Sequence, residues 1–488
     1  MPQERASASC TRYHIVLIPG FGGFDALGEI EYYAGITPLF QAWKKERPVV
    51  LHYFDNYPTA AVVTRAARLQ EYLAKRYVRG EILPNDVVTL VGHSTGGLDI
   101  RQLLWDLSHA AKPAANKAVK VIQVDGGACV DPRELLKCLR RVVFLSVPHW
   151  GTNIADWVVS HRELREAVIE CLREGVKGSQ VYLLDLMEEW VAGETARISG
   201  ANLFLALQDA VTEANDHCRY VTNRRRTAQD APSEANEDYA DRGVPKLRLR
   251  YGCLSPRRTA EAHEAASDLG LYTRDMTSDF HVINDLAPYP PRRGPKSPAQ
   301  FTVAQRNEEL GWWAKIEVLS YVTFGHRPVR FAPGEPVSEL KLLDPLREVN
   351  LLKGDGPGAG TDLPYRLCYR ACAGGPLDRP QQPPIVAKRY LKGNRQRDIA
   401  LQDREVPLWV NDGIVNTVSM FWSQGRTVEN TLVFGDHLDI VGHYKLTPAA
   451  PGGGRQYQSY DTLKSRSGFT GKTFANVWTN IFDFGARP

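Results

Sequence analysis

Ser94 stands in Gly92-His93-Ser94-Thr95-Gly96-Gly97, directly after the apolar run Val87-Val88-Thr89-Leu90-Val91 and before Leu98-Asp99-Ile100-Arg101-Gln102-Leu103-Leu104-Trp105, which reads as a helix. Glycines two residues before and two after the serine fit G-x-S-x-G. Small residues there let strand and helix approach through a sharp turn that lifts the hydroxyl clear of a sheet. The competing reading is a glycine-rich turn that only reverses the chain. Five residues alone decide little, and the strand-turn-helix setting is what favours a nucleophile. His93 is expected to point away from the serine and to play no part as base.

A serine hydroxyl is a weak nucleophile until a base takes its proton, so a histidine and an orienting carboxylate must follow. On a sheet of this kind the chain order is nucleophile, acid, histidine. The C-terminal part supplies Asp412 in Asn411-Asp412-Gly413-Ile414-Val415-Asn416-Thr417 and His437 in Gly435-Asp436-His437-Leu438-Asp439-Ile440. Asp412 lies beside glycine in a turn, where a carboxylate can project from a sheet edge. Asp436 and Asp439 compete as the acid, but stand too close to His437 in sequence to orient its ring easily. His443 competes as the base from further along. His149, in Val147-Pro148-His149-Trp150-Gly151, reads as a structural side chain near the site. An oxyanion needs donors too, and Ile18-Pro19-Gly20-Phe21-Gly22-Gly23 closes an apolar strand with unobstructed amides. Phe21 would give one N–H and Thr95 the other. This loop has neither the lysine of a phosphate-binding loop nor the spacing of a dinucleotide fingerprint.

These groups require a scaffold. Apolar runs at His14–Ile18, Val87–Val91 and Arg141–Val147 predict buried strands, and Ala61, Val62, Ala66, Leu69, Tyr72 and Leu73 predict a helix over 59–77. Near-continuously apolar strands alternating with helices argue for a parallel sheet covered on both faces. Residues 155–215 carry helical apolar stripes, 222–246 read as an exposed polar loop, and 288–298 is a proline-rich connection. The stretch 306–324 reads as helix, and 364–373 and 431–434 as late strands. The expected organisation is one sheet core in two halves, 1–155 and 361–488, with 156–360 inserted between them as helical and irregular chain.

GHSTGG, VPHWGT, NDGIVNTVSM and DHLDIVG occur in that order, and together they resemble the bacterial triacylglycerol lipases of the α/β-hydrolase superfamily, especially the larger thermophilic and staphylococcal type. Weaker similarity extends to LIPGFGGFDALGEIEYYAGI and RDMTSDFHVINDL, so the resemblance covers about 14–155, 270–290 and 365–445. It implies an α/β-hydrolase fold, Ser94 as nucleophile, Asp412 as acid, His437 as base, and the amides of Phe21 and Thr95 as the oxyanion hole. Lid helices would fall within 160–215. Relatives bind calcium near the histidine, and Asp439 matches a carboxylate used there. The second carboxylate is missing, with Tyr444 and Lys445 in that region, so a salt bridge or helix cap competes as the role of Asp439. Pro19-Gly20 replaces the family's His-Gly, and the histidine-rich zinc insertion has no counterpart.

The composition agrees with a globular enzyme and excludes other classes. The 488 residues carry a net charge of +4, with 24% charged and 43% hydrophobic residues. Basic residues are scattered, which argues against a nucleic-acid track. No apolar run approaches the roughly 18 residues of a membrane span. Cys10, Cys129, Cys138, Cys171, Cys218, Cys253, Cys368 and Cys372 form no CxxC pair, so reduced thiols are expected. MPQERASASCTRY lacks the pattern of a secretory signal, so a cytoplasmic location is expected, or a secreted one if the chain was processed. The expected activity is hydrolysis of carboxylic esters, with no cofactor required, on a lipid or other ester substrate. A short-chain esterase, a polyester depolymerase, an acyltransferase and a catalytically silent binding protein are the alternatives.

Overall fold

The structure, a computed structural model, describes residues 11–21, 26–27, 30–44, 47–56, 60–112, 121–124, 127–160, 281–288, 297–325, 363–378, 382–444, 463, 465 and 467–487. Its strands are β1 (Tyr13–Ile18), β2 (Val49–Tyr53), β3 (Val87–His93), β4 (Leu139–Leu145), β5 (Glu317–Phe324), β6 (Val386–Lys392), β7 (Arg395–Gln402) and β8 (Thr427–Phe434). They form one 8-stranded sheet in the order β7-β6-β8-β5-β4-β3-β1-β2. All neighbours run parallel except the edge pair β6–β7.

Side-chain alternation along the strands obliges the chain to cover both faces. Ile15 and Leu17 of β1 enter one core and Val16 and Ile18 the other. In β4, Val143 and Leu145 go with the first pair and Val142 and Phe144 with the second. Helices α1 (Ile36–Lys44), α2 (Val62–Val78), α3 (Thr95–Ala111), α4 (Pro132–Cys138), α5 (Asn153–Ser160), α6 (His281–Leu286), α7 (Val303–Trp313), α8 (Leu363–Ala373) and α9 (Gly471–Gly485) supply the cover. The core on the Val16 side takes its apolar residues from α2, α3 and α4, and the core on the Ile15 side from α1, α8 and α9. The molecule has the α/β-hydrolase fold. Among the described residues, no helix is long and apolar enough to cross a membrane.

Two elements differ from the sequence expectation. Residues 363–373 form α8 and not a strand. Tyr365, Cys368, Tyr369 and Cys372 are buried at helical spacing, so the two cysteines share one helix face. The segment 306–324 is two elements and not one helix. A Thr302–Gln305 capping box starts α7, which ends at Trp313. Glu317–Phe324 is then the central strand β5, while Leu310, assigned to the helical stripe, is 47% exposed. Thus β5 falls inside the 156–360 stretch read as an insertion, and core structure resumes well before 361. The expected lid helices at 160–215 and the polar loop at 222–246 lie outside the described residues.

Candidate active site

The end of β3 and the start of α3 meet at Ser94, whose backbone takes φ 53 and ψ −128. A non-glycine residue with positive φ is sterically costly and persists only where its surroundings over-determine it. Here the Ser94 N–H donates to the Leu145 carbonyl at 2.9 Å and the Gly97 N–H donates to the Ser94 carbonyl at 3.0 Å. The flanking glycines are required by close approach. A Cβ on Gly96 would sit 2.4 Å from the Ile18 carbonyl oxygen, and one on Gly92 would sit 2.7 Å from the Gly97 nitrogen. The sequence therefore builds the strained turn that the motif implied, at the C-terminal end of the sheet.

Asp412 and His437 come together from separate loops. His437 Nδ1 donates to Asp412 Oδ2 at 2.8 Å, and both residues are buried. The remaining capacity of the carboxylate is filled. Oδ1 accepts the N–H groups of Ile414 at 3.0 Å and Val415 at 2.8 Å, and Oδ2 also accepts the Thr323 hydroxyl at 2.6 Å. An acceptor-only partner on Nδ1 fixes the proton there and leaves Nε2 as the basic nitrogen. The ring lies 4.6 Å, centroid to centroid, from that of His93, the residue before the serine. Ser94 Oγ makes no hydrogen bond to the ring in this resting arrangement. Such bonds commonly tighten only when substrate is bound.

Behind Asp412 lies a chain of hydroxyls that sequence reasoning missed. Thr323, at the end of β5, donates to Asp412 and pairs with Ser146 Oγ at 2.7 Å. Ser146 and Ser94 are the two non-glycine residues of positive φ among the described residues, at 51 and 53. Each follows directly on a sheet strand, β4 and β3. Nothing local marks Ser146 or Thr323, because their partners come from distant parts of the chain.

The loop after β1 is held from both sides of Gly20. The buried Arg65 guanidinium donates to the carbonyls of Pro19 and Gly20, each at 3.0 Å, and to Asp99 Oδ2 at 2.9 Å. Asn56 also donates to Asp99 Oδ2, at 3.0 Å. Burial raises the Asp99 carboxyl to about 6 against the pull of Arg65. On the other side the Gly20 N–H donates to the Tyr32 hydroxyl at 2.8 Å. No described peptide bond is cis, and in a trans peptide the carbonyl and the following N–H point opposite ways. With the Gly20 carbonyl on Arg65, the Phe21 N–H faces away from the guanidinium. A Cβ at Gly20 would come within 2.7 Å of Ser94 Cβ, so this loop presses on the serine. Thr95 lies in the first turn of α3, where a backbone N–H has no intrahelical acceptor.

The competing residues have other partners. Asp436 Oδ1 accepts the N–H groups of Leu438 and Asp439, and its Oδ2 accepts the Ser465 hydroxyl. Asp439 Oδ2 accepts the Asp436 N–H at 2.8 Å and the Ser467 hydroxyl at 2.6 Å. These carboxylates face hydrogen-bond donors, unlike the six to eight oxygens that surround a calcium ion. Among the described residues, no group of three or more His, Cys, Asp and Glu could hold a metal. No step below is routed through calcium. His443 donates from Nε2 to the Tyr32 carbonyl at 3.0 Å. His149 packs its ring on Phe144 and Trp422, where burial holds it uncharged. His93 has both ring nitrogens hydrogen-bonded, to the Tyr32 hydroxyl and the His437 carbonyl, and neither to the serine.

No family model and no curated protein matches the chain. Among solved structures, it is similar to the lipase of Staphylococcus hyicus at 12% identity over 100% of this chain and 98% of that one, with a TM-score of 0.39. EstA from Clostridium botulinum matches at 13% identity over 96% and 88%, TM-score 0.38. A metagenomic carboxyl esterase matches at 12% identity over 98% and 76%, TM-score 0.36. Likenesses of this strength leave the chemistry to be read from the residues themselves.

Proposed function

We propose that the chain is a serine hydrolase of carboxylic esters, acting through an acyl-enzyme on Ser94. The observation that carries this reading is the buried Asp412–His437 hydrogen bond, set beside a serine whose strained backbone sits at a strand-to-helix turn. His437 Nε2 takes the Ser94 proton as Oγ attacks the ester carbonyl. The Phe21 and Thr95 amides receive the negative charge that develops on the carbonyl oxygen. The tetrahedral intermediate expels the alcohol, which leaves with the proton from His437. Water then attacks the acyl-serine, His437 takes its proton, and the acid departs as Ser94 is restored. Asp412 holds the ring in its tautomer and stabilises the imidazolium in both halves. The cycle runs on protein groups and water.

The four sequence blocks support a lipid ester as substrate, that is, triacylglycerol hydrolysis at a lipid–water interface. Rates on nitrophenyl esters of increasing acyl length, alongside a long-chain triglyceride emulsion, test this. Turnover of the emulsion is the expected result. Turnover confined to short soluble esters would make the protein an esterase, and acyl transfer to added alcohols in preference to water would make it an acyltransferase.

A further inference from the structure

We infer that Tyr32 and His93 are positioning residues that tie the oxyanion loop to the backbone of the general base. This inference rests on the ester-hydrolase reading and assigns it two further residues. The hydrogen bonds run in one series whose direction the chemistry fixes. The His437 carbonyl can only accept, so His93 Nε2, at 2.9 Å, carries a proton. Burial, with His437 alongside, keeps the His93 ring neutral, so Nδ1 is the acceptor. The Tyr32 hydroxyl, at 2.7 Å, must then donate to Nδ1, which leaves its oxygen to accept the Gly20 N–H at 2.8 Å. No donor or acceptor in the series can be reversed without leaving a buried polar group unmatched.

The rings are packed to match. Tyr32 meets His93 edge-on at 5.6 Å, and His93 lies at 4.6 Å from His437. His443 Nε2 donates to the Tyr32 carbonyl, anchoring the tyrosine backbone to the loop beyond His437. One end of the series is therefore the residue before Phe21, and the other is the base itself. These two groups must act on the same tetrahedral centre, one on its oxygen and one on its entering proton. A misplacement of about 1 Å between such groups can cost about 100-fold in rate. The residue between the glycine and the serine of the motif is thus a brace between two catalytic loops.

The test is steady-state kinetics on a soluble nitrophenyl ester with the full chain. Tyr32→Phe removes the hydroxyl and keeps the ring. It should lower kcat roughly 10- to 100-fold with KM within about twofold, because the lost interaction matters in the transition state. His93→Gln, which can still donate to the His437 carbonyl but not accept from Tyr32, should do the same. As links in one series the two changes should be strongly non-additive, the double variant being no slower than about the worse single one. A second readout needs no variant to fold. In 15N-histidine spectra of the wild type, His93 should be neutral with its proton on Nε2. Wild-type kcat in both single variants, additive losses in the double variant, or a His93 proton on Nδ1 would each overturn the brace while leaving the hydrolase reading intact. A wild type that neither hydrolyses esters nor labels at Ser94 would remove the hydrolase reading, and the brace with it.

Discussion

Arg65 lies far from Gly20 in sequence yet grips its carbonyl, and it shows how much of the site works through space. A buried ion pair such as Arg65–Asp99 is weak evidence of added stability, because desolvation offsets most of the attraction. Its value here is directional: the guanidinium fork holds two loop carbonyls and a carboxylate at once. Lysine offers a single point charge and cannot reproduce that fork. Arg65→Lys should therefore lower kcat on the order of 10-fold or more with little change in KM, checked by steady-state kinetics on a soluble ester. Asp412→Asn should cost more, roughly 10⁴-fold in kcat, since an amide cannot hold the His437 ring in the required tautomer. The sharp turn at Ser94 and the meeting of Asp412 with His437 were legible in the sequence because each residue lies in a local pattern of glycines and turn residues. Arg65, Asp99, Tyr32, Thr323 and Ser146 were not, because each earns its role only from a neighbour brought in by another strand or helix.

At the scale of elements, legibility followed burial pattern. The strands β1, β3 and β4 are continuous apolar runs, and the sequence announces them. Helix α8 hides behind tyrosines and cysteines, which favour strands locally, while its buried positions 365, 368, 369 and 372 obey the helical period. In 306–324 a helix and a strand abut, and their apolar residues chance to continue one another's spacing. The C-terminal helix α9 was not foreseen, although it closes the core over β1. Trp478 is fully buried there, packs on Phe474 and Phe482, and donates from Nε1 to the Ile440 carbonyl at 2.9 Å, three residues after His437. Trp478→Ala should destabilise the fold by about 3–5 kcal/mol, whereas Val303→Ala, at a position 70% exposed, should change it by less than about 0.5 kcal/mol. Urea unfolding of the two variants checks the contrast.

For the whole molecule, the sheet has two ends of different character. Its C-terminal end carries the strained turns at Ser94 and Ser146 and the residues of the proposed active site. Near its N-terminal end, His14 of β1 and Asp86 just before β3 form a line with His52 of β2, with His14 Nδ1 at 2.8 Å from His52 Nε2 and His14 Nε2 at 3.1 Å from Asp86 Oδ2. His14 donates to the carboxylate and accepts from His52, so both rings are neutral. Burial, then Arg76, His14 and Arg12, depress His52 to about 3. In the unfolded chain this histidine titrates near 6.5. A depressed folded value gives stability that is present above pH 6.5 and lost as the pH falls toward 3, because only the unfolded chain then takes up the proton. The loss should be on the order of a few kcal/mol. His52→Gln keeps a donor for His14 and does not titrate. Its urea midpoint should therefore fall less steeply than that of the wild type between pH 6.5 and 3, and equal slopes would refute this assignment.

We propose that Ser94 is made nucleophilic by His437 and Asp412 acting together. Labelling of the folded protein with a fluorophosphonate, with the modified residue located by peptide mass, tests it most directly. Rapid, stoichiometric labelling of Ser94 is expected in the wild type, with no labelling in Ser94→Ala and labelling slowed by orders of magnitude in His437→Ala and Asp412→Asn. Folded wild type in which Ser94 stays unlabelled, or is labelled equally fast without His437, would contradict it.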